Sequence, residues 1–558
     1  MAELEDAPLL SAVAAARRVE SADEIAWQET VDFIVVGFGG AGAAAALEGV
    51  ERGLSVLAID RFEGGGATAL SGGVLYACGT RFQQRAGFTD TAEDMHDYLR
   101  LENPPVAAQT LRRFCDGSNA DLEWLAAHGV QFDSTLFSEK TTYPPEGTFL
   151  YYSGNEKVPW YKERAKPAPR GHRAVGQGFT GYAYFGALKA SAAAAGVRLV
   201  THAPVRRLVV DRAGVVVGVE AHRLRSEHRE QHEALNKTIV PLRPFRWKRH
   251  TRAIAACAAL EARGSETVFF RARRGILLSG GGFVFSHEML QRHRTLLAQL
   301  RGSLLPAGAM SCDGSGIELG RSVGGNTRLM ESFFLGKVLA PPASFVRGVL
   351  VDATGRRFIN EDAYTSALGN AVADLPEHGK AWLILDRSLF WEAVHKCIRP
   401  GKGMYLYTLP ALANLLFGGT RRAQSIAKLA QICGLNRDTF SATIDHYNSA
   451  ATGKTLDSLG KDTSNLAPVV KPPFYAIRMD LGNPLTPAMA FSLGGLVVDE
   501  TTGAVLDRAG TAVPHLYAAG RNAVGLCSSG YISGMSIADT VFSGRRAARA
   551  VAGASELR

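Results

Sequence analysis

The chain has 558 residues, 46% of them hydrophobic, and a formal net charge of +9. That is ordinary globular composition with ample core-forming material, and no run approaches the ~18 uncharged apolar residues that span a bilayer. Much of the positive charge lies in one segment, which argues against a nucleic-acid footprint. Met1 to Asp6 is acidic where a secretory signal is basic, with no clear apolar run or cleavage site after it. The seven cysteines (Cys78, Cys115, Cys257, Cys312, Cys397, Cys433, Cys527) are odd in number and scattered, without a C-x-x-C pair. Reduced thiols in a cytoplasmic protein are expected, with no disulfide framework and no metal site.

Val31 to Val36 is a short β-branched run suited to a strand buried on both faces. It runs into Gly37-Phe38-Gly39-Gly40-Ala41-Gly42, an alanine-rich helix to Glu51, and a second strand, Ser55 to Ile59, ending at Asp60 and Arg61. A G-x-G-x-x-G run alone is a weak signal. Strand, helix and terminal acid together make a dinucleotide site of Rossmann type. Gly37 permits the tight turn, Gly39 lets a pyrophosphate approach, Gly42 lets helix and strand pack, and Asp60 accepts from a ribose hydroxyl. Gly40 and Ala41 lie in the glycine run before the helix, expected from Ala43 to Glu51, whose free N–H groups face the diphosphate.

The next loop, Glu63 to Gly73, is rich in glycine and small hydroxyl residues. Ala67, Thr68, Ser71, Gly72 and Gly73 can lie flat on a large planar cofactor, which favours FAD over NAD. No histidine stands in this loop for a covalent link, so a non-covalent FAD is expected. Further strand signals, Arg198 to Thr201, Val205 to Val210 and Val215 to Glu220 with Gly214 in a turn, read as an antiparallel meander. The meander resumes at Thr267 to Phe270, and another strand, Arg274 to Leu278, ends in Gly280 and Gly281.

Residues 223–265 interrupt the meander with Arg223, Arg225, Arg229, Lys237, Arg243, Arg246, Lys248 and Arg252, and with Phe245 and Trp247 between them. Two readings stand: a peripheral membrane or partner contact for a protein handling an apolar substrate, or a solvated insertion in a hairpin loop. Near the C-terminus, Leu516 to Gly520 reads as a buried strand ending in a glycine turn, followed by Arg521. Gly530-Tyr531-Ile532-Ser533-Gly534 then precedes a helix start at Met535-Ser536-Ile537-Ala538.

Taken together, Gly37 to Gly42, Ala67 to Gly73, Arg274 to Gly282, Gly494-Gly495 and Leu516 to Gly520 resemble the fumarate reductase and 3-ketosteroid dehydrogenase flavoprotein superfamily. The resemblance covers about residues 30–550 apart from 223–265. It implies an α/β fold: a discontinuous FAD domain with parallel sheet and meander (1–285 and 481–558) and an inserted α+β catalytic domain (286–480). It places Val205 where backbone meets the adenine, and Ser536-Ile537 where amides approach the flavin pyrimidine edge. Three places sort the members. After Asn360-Glu361-Asp362 this chain has Tyr364 and no arginine before Asn370, and Ala490 to Gly495 holds no histidine. Two buried carboxylates without cationic partners cost several kcal/mol each, in the range of ~3–5, which argues against a dicarboxylate substrate. Tyr531, Ser533 and Tyr364 resemble the 3-ketosteroid Δ4-(5α)-dehydrogenases. The stretch Pro144 to Gly171, with Tyr152-Ser153-Gly154, resembles them as well.

That resemblance implies removal of a proton from C4 and a hydride from C5 to flavin N5. A phenol donates to an enolate oxygen without first ionising. Serine acts as a base only by handing its proton on, and a tyrosine is the obvious relay. Ser533 is therefore expected nearest the C4 proton, with Tyr531 and Tyr364 dividing carbonyl polarisation and relay. The pocket is expected to be apolar, with Phe333-Phe334-Leu335, Phe345-Val346, Met404 to Tyr407 and Leu415 to Phe417 as candidate linings. His172, Cys78 and Cys527 read as packing. The competing readings are a Δ1-dehydrogenase or steroid ene-reductase, and more remotely a fumarate-reductase-like enzyme or a non-catalytic FAD-binding protein. The electron acceptor is not legible.

Overall fold

The computed structural model describes residues 12–139, 141–239, 246–400 and 404–554. Arg243, Phe245 and the side chain of Leu406 lie outside what is described. The apolar run at 31–36 lies within the strand Glu29–Val36. It pairs in parallel with Val56–Ile59 on one side (Phe33 opposite Val56) and with Ser265–Leu278 on the other. The C-terminal strand Ala512–Ala518 joins the same nine-stranded sheet, Leu516 opposite Ile276. Both ends of the chain therefore build one layer. The helices Gly40–Glu51 and Met535–Gly553 pack against each other beside it.

Two expectations about the meander change. Arg198–Val200 pairs in parallel with Val56–Ile59 and forms an edge of the parallel part, leaving the meander to Val205–Val210 and Val216–Leu224. The two strands expected at 267–270 and 274–278 are one strand, Ser265–Leu278. Its first half pairs antiparallel with Val216–Leu224, and from Phe270 onward it pairs in parallel with Glu29–Val36, with a register shift between Ala272 and Gly275 inside that pairing. An irregularity of this kind re-aims a strand without ending it, which a hydrophobicity pattern does not reveal.

Between Val216–Leu224 and Ser265–Leu278 the basic segment forms two packed helices, Ser226–Asn236 and Trp247–Gly264. Their inner face buries His232, Cys257, Leu260 and Glu261 against the nucleotide-binding sheet, while the arginines spread over the outside. Residues 349–478 contribute an antiparallel sheet ordered Val349–Asp352, Ala381–Leu385, Phe474–Arg478, Arg421–Ala423. A smaller sheet pairs Ala488–Ser492 with Leu304–Pro306 and Phe333–Gly336, and so lies across the expected boundary at 480/481. One hydrophobic cluster runs from Val31 and Ile34 to Phe390 and Ile477. All seven cysteines are buried and free. Among the described residues no helix is long and apolar enough to cross a membrane.

Candidate active site

A cleft of about 860 Å³ opens at the C-terminal ends of the parallel strands, where α/β folds bind ligands. Gly37, Gly39, Gly40 and Ala41 line it, as do Asp60, Arg61, Ala67 and Thr68, and so do Val205, Gly280, Gly281, Gly520 and Arg521. Gly42 stands behind them: a Cβ there would lie 2.0 Å from the Gly37 carbonyl oxygen, so only glycine lets the helix seat. Gly39 caps that helix without a side-chain bond and has open space beside it. This leaves helix N–H groups and their partial positive charge facing the cleft. Thr68 takes one of them, its hydroxyl accepting from Gly40 N–H at 3.1 Å.

Asp60 serves the backbone first. Its carboxylate accepts from the N–H groups of Phe38 (2.7 Å) and Phe62 (2.8 Å), which clamps the glycine turn to the second strand. Burial pushes its pKa up in spite of those bonds. Each oxygen keeps a lone pair for a ribose hydroxyl. Arg61 and Arg206 are both held from behind by Glu261 of the helix pair. Arg61 Nε donates at 2.6 Å and Arg206 Nη2 at 2.6 Å, while Arg61 also reaches Asp313 at 3.0 Å. Burial works against the Glu261 carboxylate, but Arg61, His232 and Arg206 outweigh it and hold the acid ionised. His232, Cys257 and Glu261 bring their donor atoms within 4.8 Å of one another. Two guanidiniums on the same carboxylate make that corner hostile to a cation.

The cleft continues past Ala67, Thr68, Arg521 and Thr540 into a second cavity of about 1020 Å³. Ser71, Gly72, Gly73, Ser536 and Ile537 line it on one side, and Tyr364, Tyr531 and Ser533 on the other. Tyr364 thus meets Tyr531 and Ser533, far from it in sequence, in one chamber. Gly534 makes this possible. At φ +96° it caps the helix Met535–Gly553 and passes so close to Tyr76 that a Cβ would lie 3.0 Å from its nitrogen. The turn is further pinned by Ser153, whose carbonyl accepts from Ser533 N–H (3.1 Å) and whose hydroxyl donates to the Ser533 carbonyl (2.9 Å).

Ser533 Oγ lies 2.9 Å from the phenol oxygen of Tyr151, and the Tyr364 phenol lines the same chamber. Burial raises the pKa of Tyr151, Tyr364 and Tyr531 above the usual phenol value, so all three are protonated donors at neutral pH. Tyr531 stands edge-on to Phe334 (4.9 Å) and Phe491 (5.1 Å), which stack on each other at 4.7 Å. Tyr364 is aimed by its motif. Glu361 is buried between Arg357 and Lys461 and accepts from Leu350 N–H. Asp362 takes the N–H of Asp462 and the Asn465 amide, and Tyr364 N–H donates to Asn155 Oδ1 at 2.7 Å. Among the described residues, Arg521 is the one charged side chain lining this cavity, and no histidine lines it.

The cleft and chamber together have the shape a dinucleotide with a large planar ring demands: uncapped helix N–H groups at the narrow waist, small residues flanking the wider end. Residues 32–534 match the family described as FAD binding domain. The chain belongs to this FAD-binding family. The flavoprotein is 36% identical over 509 residues to the 3-oxo-5-alpha-steroid 4-dehydrogenase of Comamonas testosteroni, covering 90% of this chain and 94% of that one. It is 24% identical to a 3-oxosteroid 1-dehydrogenase of Mycobacterium tuberculosis, over 88% and 92% of the two chains. The crystal structure of the 3-ketosteroid-delta4-(5alpha)-dehydrogenase of Rhodococcus jostii RHA1 with 4-androstene-3,17-dione superposes with a TM-score of 0.80. Identity there is 29%, over 97% of this chain and 100% of that one.

Sequence reasoning missed Tyr151. Its neighbours Tyr152-Ser153-Gly154 drew attention, but the strand Leu150–Tyr151 turns Tyr151 inward, where it is fully buried. The strand is only two residues long and buries both, so in/out alternation gave no signal. Glu261 was also missed, being one acid within a basic run. Of the expected lining residues, Phe334, Phe345 and Tyr407 face cavities. Phe333, Leu335, Met404 and Leu415 are core, Val346 lines a separate groove, and Tyr405, Leu416 and Phe417 are exposed. His172, Cys78 and Cys527 are buried. Both His172 nitrogens are engaged, by Thr80 and by the Arg170 carbonyl.

Proposed function

We propose that this flavoprotein introduces the Δ4 double bond into a 3-ketosteroid. The observation that carries the reading is Ser533 hydrogen-bonded to the phenol of Tyr151 in an apolar chamber that Tyr364 and Tyr531 also line. Of the two regions read as domains, 286–480 supplies Tyr364, and the discontinuous 1–285 with 481–558 supplies Tyr151, Tyr531 and Ser533, which supports a reactive cluster at their junction.

In this reading the C3 ketone accepts hydrogen bonds from a phenol, and the enolate that forms as the C4 proton leaves is stabilised by the same donor. One such donor contributes about 3–4 kcal/mol to the transition state. Ser533 takes the C4 proton while passing its own to Tyr151, and that phenol, already protonated, hands its own proton on to solvent in the same relay, so no alkoxide has to persist in a buried site. The aromatic box of Phe334 and Phe491 fixes the Tyr531 ring edge-on, which directs its hydroxyl along one line into the chamber. FAD, when bound, supplies the acceptor for the C5 hydride. The glycine and hydroxyl residues Ala67 to Gly73 and the helix start at Ser536-Ile537 would hold it non-covalently. A single guanidinium, stacked 5.1 Å over the Phe491 ring, does not make a dicarboxylate site.

The test is regiochemical. The flavoprotein is given a 5α-3-ketosteroid and an artificial electron acceptor, and the new double bond is located by NMR. A C4–C5 alkene is the expected product. A C1–C2 alkene would move the reading to a 1-dehydrogenase, and a flavin that stays oxidised with every ketosteroid would end it.

A further inference from the structure

The chamber at Ser533 is bounded on one flank by Tyr407 and Met489. Those two side chains are shared walls with a third cavity of about 690 Å³. Its remaining lining is almost wholly hydrocarbon: Leu305, Val338, Phe345, Pro410, Ala411 and Met479. The one cation lining it among the described residues, Lys337, is buried, and its ammonium is already spent. It donates to the carbonyls of Asp480 (3.0 Å) and Thr486 and reaches the Thr486 hydroxyl at 3.3 Å. The polar atoms of that wall therefore satisfy one another and offer little to a hydroxylated or charged ligand.

From this we infer that the substrate carries a flexible, saturated hydrocarbon chain at the end remote from its ketone, and that the third cavity receives it. The inference rests on the proposed 3-ketosteroid reaction. Two features argue for a chain and against more ring system. Tyr407 and Met489 stand between the two cavities, so a rigid fused plate stays on the Ser533 side while a chain is slender enough to thread past them. Methionine, with three rotatable bonds, can yield to such a chain at small cost. Burying the chain removes apolar surface from water at both faces, at roughly 25 cal/mol per Å². The cavity also adjoins the chamber that holds the reacting hydroxyls, so a chain lying in it leaves the ketone end on the Ser533 side.

The experiment compares two 5α-3-ketosteroids of identical nucleus, 5α-androstane-3,17-dione without a side chain and 5α-cholestan-3-one with one, in the holoenzyme. Wild type should show the higher kcat/KM for the tailed ketone. Ala411→Trp, which fills the third cavity, should lower kcat/KM for the tailed ketone by about 10-fold or more, the effect of a methylene or two misplaced in an apolar pocket. It should leave the tail-less ketone within about twofold. Val338→Phe is the second variant, and activity on the tail-less ketone reports that each variant is folded. Equal losses on both substrates, or a wild-type preference for the tail-less nucleus, would overturn the inference while leaving the Δ4 reaction intact. If neither ketone is turned over, the Δ4 reading fails and this inference falls with it.

Discussion

The hydroxyl of Ser533 and the phenol of Tyr151 lie 2.9 Å apart, although 382 residues separate them in the chain. The contact gives a serine, otherwise a poor base, a protonated neighbour through which charge can be moved. It also ties the start of the C-terminal helix to a small antiparallel sheet built from Val74–Tyr76, Gly171–Arg173 and Leu150–Tyr151.

Tyr151→Phe removes that hydroxyl with little change in volume. If the proton travels through Tyr151, kcat falls by about 10²-fold, the range of one acid–base participant, and the flavin remains bound. Ser533→Ala and Tyr364→Phe should fall at least as far. Stopped-flow reduction of the flavin by substrate measures this directly. A Tyr151→Phe enzyme with unchanged reductive rate would confine the residue to packing.

Gly42→Ala tests the cofactor cleft. The added Cβ meets the Gly37 carbonyl at 2.0 Å, so the helix Gly40–Glu51 must move off the strand. The protein is expected to purify without its 450 nm flavin absorbance and to melt earlier, by the ~1–3 kcal/mol typical of overpacking. Full flavin occupancy in the variant would contradict the close approach.

Glu261→Gln tests the helix pair. The substitution keeps the shape but removes the charge shared by Arg61 and Arg206, leaving buried guanidiniums underpaired. Breaking such a pair costs about 3–5 kcal/mol. Lower thermal stability is expected together with faster FAD loss on dilution, read from flavin fluorescence. A loss of stability with unchanged FAD retention would limit Glu261 to folding.

Glu156 sets a pH dependence. Burial pushes its carboxyl up to about 7, against bonds from Gly154 N–H (2.8 Å) and the Tyr76 phenol (3.0 Å). Asp539 is likewise raised, to about 6. A carboxyl with a raised folded pKa binds its proton more tightly in the native state. Its contribution is therefore full below the unfolded value and is lost as pH rises through the folded one. Between about pH 4.5 and 7 stability should decline by an amount on the order of 3 kcal/mol from Glu156. Melting curves of wild type and Glu156→Gln across that window check it, and the variant should show the shallower slope. Parallel slopes would remove Glu156 from the account.

The local rules were legible without coordinates. Gly37 to Gly42, the acid at Asp60 and the small-residue loop at 67–73 each follow from what a strand–turn–helix needs in order to approach a phosphate and a flat ring, and such needs are met within a few residues. The pairing of Tyr531 with Ser533 was readable for the same reason. Only the tertiary structure decided that Tyr151 joins them, that Ser265–Leu278 is one strand with two sets of neighbours, and that the basic segment carries Glu261 inward behind two arginines. Those depend on which distant segments share a sheet edge or a buried corner. Such placement is settled by packing and by the pairing of buried charge across the whole molecule. No periodicity within one segment encodes it.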